Sequence, residues 1–135
     1  MGDLSRSFSS WEFRCKCGCG YEKVDPALVS LLQTIRDSLG ESILVTSGVR
    51  CSSHNANVPG ASKRSFHVPR DNGGMAADIT FAGGSRPPSA ITKLYILSDL
   101  HGAKGLGLYS NRVHVDCRPG AKKRWVHSSW SWIRV

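Results

Sequence analysis

Stretches with a clear hydrophobic period alternate along the chain with polar stretches, rich in glycine or proline, that break it. From Asp25-Pro26 onward, Leu28, Leu31, Leu32, Ile35 and Leu39 recur at helical spacing up to Gly40. An Asp able to cap, a Pro in the first turn and a terminal Gly bound a core helix that carries no chemistry of its own. Residues 43–47 form a compact β-prone run, and residues 75–81 form another in which Asp78 is the one charged position. A second helix is predicted from residue 89 to about 100, with Ile91, Leu94, Tyr95, Leu97 and Leu100 largely on one face. Residues 106–109 and 112–116, separated by Ser110-Asn111, read as a hairpin.

These elements predict one α+β domain over residues 1–135, a small, mainly antiparallel sheet with two helices on one face. Ser9-Ser10-Trp11-Glu12-Phe13 reads as a docking segment, because Trp11 and Phe13 carry apolar area that an N-terminal strand of chain gains by burying. Residues 54–63 are polar and loop-like, and Gly83-Gly84-Ser85-Arg86-Pro87-Pro88 excludes regular structure. At the C-terminal end Trp125 is expected in the core, while Trp130 and Trp132 suit either a core or a sugar-stacking role.

Composition narrows the class. The chain has 135 residues, 40% of them hydrophobic, enough for one domain with a real core. It has no run of about 18 apolar residues, so nothing in it is expected to cross a membrane, and Met1-Gly2-Asp3-Leu4-Ser5-Arg6-Ser7 lacks the basic-then-apolar pattern of a secretory signal. A formal charge of +8 suits an anionic partner. Nucleic acid is one such partner and a bacterial wall another, but no nucleic-acid motif is present and Lys122-Lys123-Arg124 is too short to argue for one. A monomer that binds no nucleic acid is expected.

Five cysteines make an odd count, and Cys15-Lys16-Cys17-Gly18-Cys19 packs three of them too closely for easy mutual pairing. Their one-residue gaps differ from the two-residue gap of a usual zinc knuckle. Reduced thiols are therefore expected, with a second structural metal completed by Cys51 or Cys117 as the alternative.

The candidate chemistry lies in Ser65-Phe66-His67, in Asp78 and in Arg112-Val113-His114-Val115-Asp116. Strand alternation puts His114 and Asp116 on one face and the two valines on the other. Asp78 in an apolar run would be costly to bury unpaired, and a bound cation would offset that cost. His67, Asp78 and His114 together supply the ligand count of a catalytic zinc site, three protein groups with a fourth position for water. The run 43–47 then delivers Gly48-Val49-Arg50 at a strand end, which makes Arg50 a candidate anion clamp rather than a plain surface arginine.

These residues resemble the M15 zinc peptidases of the bacterial cell wall, the D-Ala-D-Ala carboxypeptidase and murein endopeptidase family, whose pattern is Ser-x-His-x-x-Gly-x-Ala-x-Asp followed by a later His. Ser47-Gly48-Val49-Arg50-Cys51, His54-Asn55, Gly60-Ala61-Ser62 and the small-branch ending His114-Val115-Asp116 extend the likeness over residues 8–125. The resemblance implies a hedgehog or DD-peptidase-like fold, Zn2+ held by His67, Asp78 and His114, and hydrolysis of peptidoglycan stem or cross-bridge peptides. Arg50 would meet the substrate's carboxylate or carbonyl. The chain departs from the pattern by four residues added within Val68-Pro69-Arg70-Asp71-Asn72-Gly73, expected to form a longer surface loop that returns the chain to the metal, with His54 as the reserve ligand. Where many relatives carry an acid three positions before the last His, this chain has Asn111. Asp116 is therefore taken as the general base, the alternative being that it orients a ligand histidine. A phage lysin that stays in the cytoplasm until lysis fits the missing signal. The rival is a zinc-containing module that binds the wall without catalysis, as the hedgehog signalling domain shows for this fold.

Overall fold

The computed structural model describes residues 2–127. Helix α1, Pro26–Leu39, starts where the Asp25 carboxylate accepts the Ala27 N–H at 2.8 Å and stops at Gly40, as its sequence predicts. Strand β1 is Ile43–Ser47, followed by the short helix α2, Ser52–Ala56. Strand β2, Ala76–Phe81, precedes helix α3, Pro88–Leu100. The predicted hairpin forms β3, Gly105–Leu108, and β4, Val113–Asp116, closed by the Tyr109 N–H on the Arg112 carbonyl at 3.1 Å. A last strand, β5, Lys123–Val126, was not legible in the charged run Lys122-Lys123-Arg124.

The sheet runs β1-β2-β4-β3-β5, antiparallel throughout except for the β3–β5 pair. Its two faces differ in chemistry because side chains alternate along each strand. Ile43 and Val45, Ala77, Ile79 and Phe81, Leu106 and Leu108, and Val113 and Val115 all join one core with Leu28, Leu32 and Ile35 of α1 and Ile91 and Leu94 of α3. Each such valine, leucine, isoleucine or phenylalanine, fully buried, contributes about 1.5–3 kcal/mol, far more than an exposed ion pair such as Arg86–Glu41. Packing of α1 and α3 against the apolar face therefore fixes the sheet, and the opposite face of β2 and β4 is left to carry Asp78, His114 and Asp116. No helix among the described residues is long and apolar enough to cross a membrane.

Two aromatic expectations need correction. Phe13 is buried at the end of a 3-10 turn, Ser10–Phe13, but Trp11 in the same turn is 66% exposed. Only one of the two rings can face inward from so short a turn. Trp125 is half-buried on β5 and lies over the site-side face of the sheet, packed on Gly107 rather than in the core. Trp130 and Trp132 lie outside the described residues.

Gly107 is the β3 residue opposite both His114 and Trp125, and a Cβ there would run into the indole at Cε2 and Nε1. Gly107→Ala is expected to lose about 1–3 kcal/mol of stability through this overpacking. Chemical denaturation would measure it, and an unchanged midpoint would show that Trp125 moves aside freely.

Candidate metal centre

Asp78 and His114 are directly opposed in the β2–β4 register. Opposed residues of an antiparallel pair share a face, so the carboxylate and the imidazole meet without any loop having to bring them together. Asp78 Oδ1 lies 3.2 Å from His114 Nδ1. His67 arrives from the loop between α2 and β2, where its carbonyl accepts the Arg50 N–H at 2.9 Å and its own N–H reaches Ser65 Oγ at 3.2 Å. Its Nε2 stands 3.4 Å from the same Asp78 oxygen, and the two imidazole rings meet edge to face at 5.1 Å.

The outer nitrogen of each ring is already committed. His67 Nδ1 is 2.7 Å from the Gly48 carbonyl, which can only accept, so Nδ1 carries the proton and donates it. His114 Nε2 is 2.8 Å from Asp116 Oδ2 and donates likewise. In their neutral forms both rings then turn a lone pair towards Asp78 Oδ1, and three acceptor atoms converge with all ligand atoms within 4.8 Å of one another. A cation resolves that convergence. Two imidazole nitrogens and a carboxylate are also the donor set that zinc accepts.

Without a cation, a proton shared between His114 and Asp78 would relieve the same convergence. Burial pushes His67 below the ordinary imidazole range, against the pull of Asp78. Burial would lower His114 as well, but its hydrogen bonds to Asp116 and Asp78 outweigh that and hold it above the ordinary range. Asp78 is opposed by burial, yet the bonds from His114 and His67 keep it far below the usual carboxylate range.

Asp116 lies behind the His114 ring and not in front of it. The side chain is fully buried, takes the Gly105 N–H at 2.9 Å on Oδ1 and is gripped by Arg118, whose Nε and Nη2 approach Oδ1 and Oδ2 at 2.9 and 2.7 Å. Alternation does put Asp116 on the face of His114, as expected, but the two-residue step carries it to the outer nitrogen of the ring. That position suits the alternative role, a residue that orients a ligand histidine, more closely than that of a base facing the reacting water.

Arg50 stands where a strand end was expected to present it. Its Nη2 is 3.8 Å from Asp78 Oδ2, and Ser47 Oγ and Asn55 Oδ1 hold the rest of the guanidinium at 3.3 and 3.2 Å. Arg112 Nε approaches the same carboxylate oxygen at 3.6 Å. Both line a cleft of about 740 Å³ whose walls also include Arg64, Arg70, Arg118 and Lys123, with Asp78 its only carboxylate among the described residues. Tyr109, Trp125 and His127 form its aromatic side, with Tyr109 and His127 stacked at 4.7 Å. His54, the reserve ligand, sits on α2 outside the group, and Asp71 is exposed at the tip of the added loop.

That loop closes on itself. Arg70 and Gly73 exchange both backbone hydrogen bonds at 3.0 Å, and the Met75 N–H returns to the Phe66 carbonyl at 3.1 Å. The four added residues therefore leave His67 in contact with Asp78.

A family model described as Peptidase M15 matches residues 6–116. The chain belongs to the M15 peptidase family. Comparison with curated proteins and with solved structures finds no match. Membership of the M15 family makes it a metallopeptidase-type hydrolase, and the buried His67, Asp78 and His114 group is the place in this fold that could hold the metal. The matched region contains all three residues and Asp116, whereas Arg118 and β5 lie beyond it.

Sequence reasoning missed Arg112, Arg118, Tyr109, His127 and the Gly48 carbonyl. Arg118 had a signal, since it continues the two-residue period of His114 and Asp116. The Gly48 carbonyl had none, because a backbone acceptor leaves no trace in residue type. His67→Ala, Asp78→Ala and His114→Ala are each expected to lower bound metal sharply, measured by elemental analysis of purified protein. Undiminished metal in His67→Ala would show that this histidine is not a ligand.

Proposed function

We propose that the protein is a zinc-dependent peptidase that hydrolyses peptide bonds in peptidoglycan stems or cross-bridges. The observation that carries the reading is the three-acceptor centre of His67, Asp78 and His114 in a cleft walled by five arginines and a lysine. Stem peptides carry carboxylates, and a guanidinium–carboxylate contact at about 4 Å is worth about 1 kcal/mol in water but about 4 kcal/mol at the effective dielectric of a protein surface. Arg50, whose side chain is only 13% exposed, works nearer the second figure. A neutral or cationic substrate would gain no charge pairing from these arginines.

When bound, zinc supplies a Lewis acid that polarises the scissile carbonyl and makes water a nucleophile near neutral pH. His67 and His114 are held for that task by Gly48 and Asp116, which fix each ring's tautomer and direction. Arg50 and Arg112 steady the carbonyl oxygen or the substrate carboxylate. With Asp116 turned away and Asn111 unable to take a proton, the His127 imidazole on the cleft wall is the group we propose would take the proton of the attacking water and return it to the departing amine. The water oxygen adds to the carbonyl carbon, the C–N bond breaks, and the shuttled proton completes the new amine.

The scarcity of carboxylates in the cleft also favours a second reading, in which the centre only shapes a surface that recognises the wall. Purified peptidoglycan incubated with the protein, with and without chelator, separates the two. Hydrolysis products that disappear with chelator are expected, and mass spectrometry identifies the bond; retention on sacculi with no product would support recognition alone.

Asp116→Asn sharpens the assignment. An orienting role predicts metal affinity weakened about 10- to 100-fold, with turnover restored by added zinc. A general-base role predicts about 10²- to 10⁴-fold slower turnover at full metal occupancy. The first outcome is expected for Asp116→Asn, and the second for His127→Ala.

A further inference from the structure

Cys15, Cys17, Cys19 and Cys51 lie together on the N-terminal side of the molecule, with all four sulfurs within 4.8 Å of one another. We propose that these four thiolates bind a second, structural metal ion of the zinc class, independent of the His67, Asp78 and His114 centre. The one-residue gaps that distinguish this run from a zinc knuckle do not prevent convergence, because the chain turns sharply through residues 16–19 with Gly18 at φ 88°. An extended strand would carry alternate side chains on one face but nearly 7 Å apart per pair of residues. The turn folds that spacing in half.

The distances fit a metal better than either alternative. Cys15 Sγ to Cys17 Sγ is 3.4 Å and Cys17 Sγ to Cys51 Sγ is 3.5 Å. A tetrahedral zinc with Zn–S bonds of about 2.3 Å sets its sulfurs about 3.8 Å apart, whereas a disulfide needs about 2.0 Å. Neutral thiols are weak donors and weak acceptors, so four of them gain little from mutual contact. Ionised, they repel unless a cation sits among them.

Backbone amides aim at the sulfurs as well. The Cys51 N–H points at Cys15 Sγ and the His54 N–H at Cys51 Sγ, each at 3.4 Å. Such bonds stabilise thiolate more than thiol. Cys117 stands outside the set, with its sulfur 3.6 Å from the Met75 carbonyl.

The ion would tie residues 15–19 to the segment that leaves β1. The Val49 N–H already bonds to the Phe13 carbonyl at 2.9 Å, and Lys16 Nζ reaches the Thr46 carbonyl. Cys51 follows Arg50, and Gly48 two residues earlier holds the His67 ring. A thiolate clamp at Cys51 thus stiffens the backbone that presents Arg50 and orients His67. Binding one divalent ion releases the four thiol protons, so occupancy falls with acid.

Full-length protein purified without oxygen and loaded with Co2+ alone tests this. Thiolate ligands give an intense sulfur-to-cobalt charge-transfer band in the near ultraviolet, and a site of two imidazoles and a carboxylate does not. Two metal ions per chain and this band are expected in the unaltered protein. His67→Ala should keep the band while losing one ion, and the exposed Cys19→Ser should weaken or abolish it while keeping the other ion. Absence of the band from folded, fully reduced wild-type protein would overturn the proposal whatever the variants do. So would a mass lowered by the two hydrogens of a disulfide between Cys17 and Cys51 in protein never exposed to oxidant. Neither result bears on whether His67, Asp78 and His114 form a peptidase centre.

Discussion

Two imidazole lone pairs and a carboxylate oxygen, facing one another at 3.2 and 3.4 Å, are stable only with positive charge between or around them. Much of the molecule serves to impose that arrangement. Removing one carboxylate and two rings from water costs several kcal/mol, and the apolar packing of α1 and α3 under the sheet offsets it. The core keeps β2 and β4 in the register that opposes Asp78 to His114. Gly48 and Asp116 then take the outer ring protons, so that neither histidine can relieve the convergence by turning around.

The surrounding charge follows from the same constraint. Asp78 Oδ2 is left to two guanidinium groups at 3.6 and 3.8 Å, which balance the anion without blocking the atom that faces the rings. Arg118 does similar work one layer back. It grips Asp116 and lays its guanidinium against Phe66 at 4.6 Å and Trp125 at 5.7 Å, linking the loop of His67 to the last strand. Three of the cleft's cations, Arg50, Arg112 and Arg118, thus balance buried carboxylates whatever else they attract.

Local rules made the scaffold readable. Asp25-Pro26 and the leucine period set α1, and period-two alternation placed Asp78, His114 and Asp116 on the face away from the core. What alternation cannot supply is direction within the face. Asp116 shares a side with His114, but the sheet's advance along β4 puts it at the far nitrogen, and only Gly105, with no Cβ to collide with that carboxylate, leaves it room there. Strand β5 escaped notice because three of its four side chains are charged or aromatic and it is held by backbone pairing to β3 instead of by burial. Trp11 and Trp125 show the same limit from the other side, since ring size signals that contact is available without saying with what.

The loop after His67 separates two properties that a linear motif treats as one. Its ends are joined by the bond between Phe66 and Met75, and its tip by the paired bonds of Arg70 and Gly73, so the span between His67 and Asp78 is a sealed side branch. Gly74 is further anchored to Lys23 and Asp25 at 3.0 and 2.9 Å. Chain length can change inside the seal without being felt by the ligands. In this chain the sequence distance from His67 to Asp78 is therefore no measure of their distance in space.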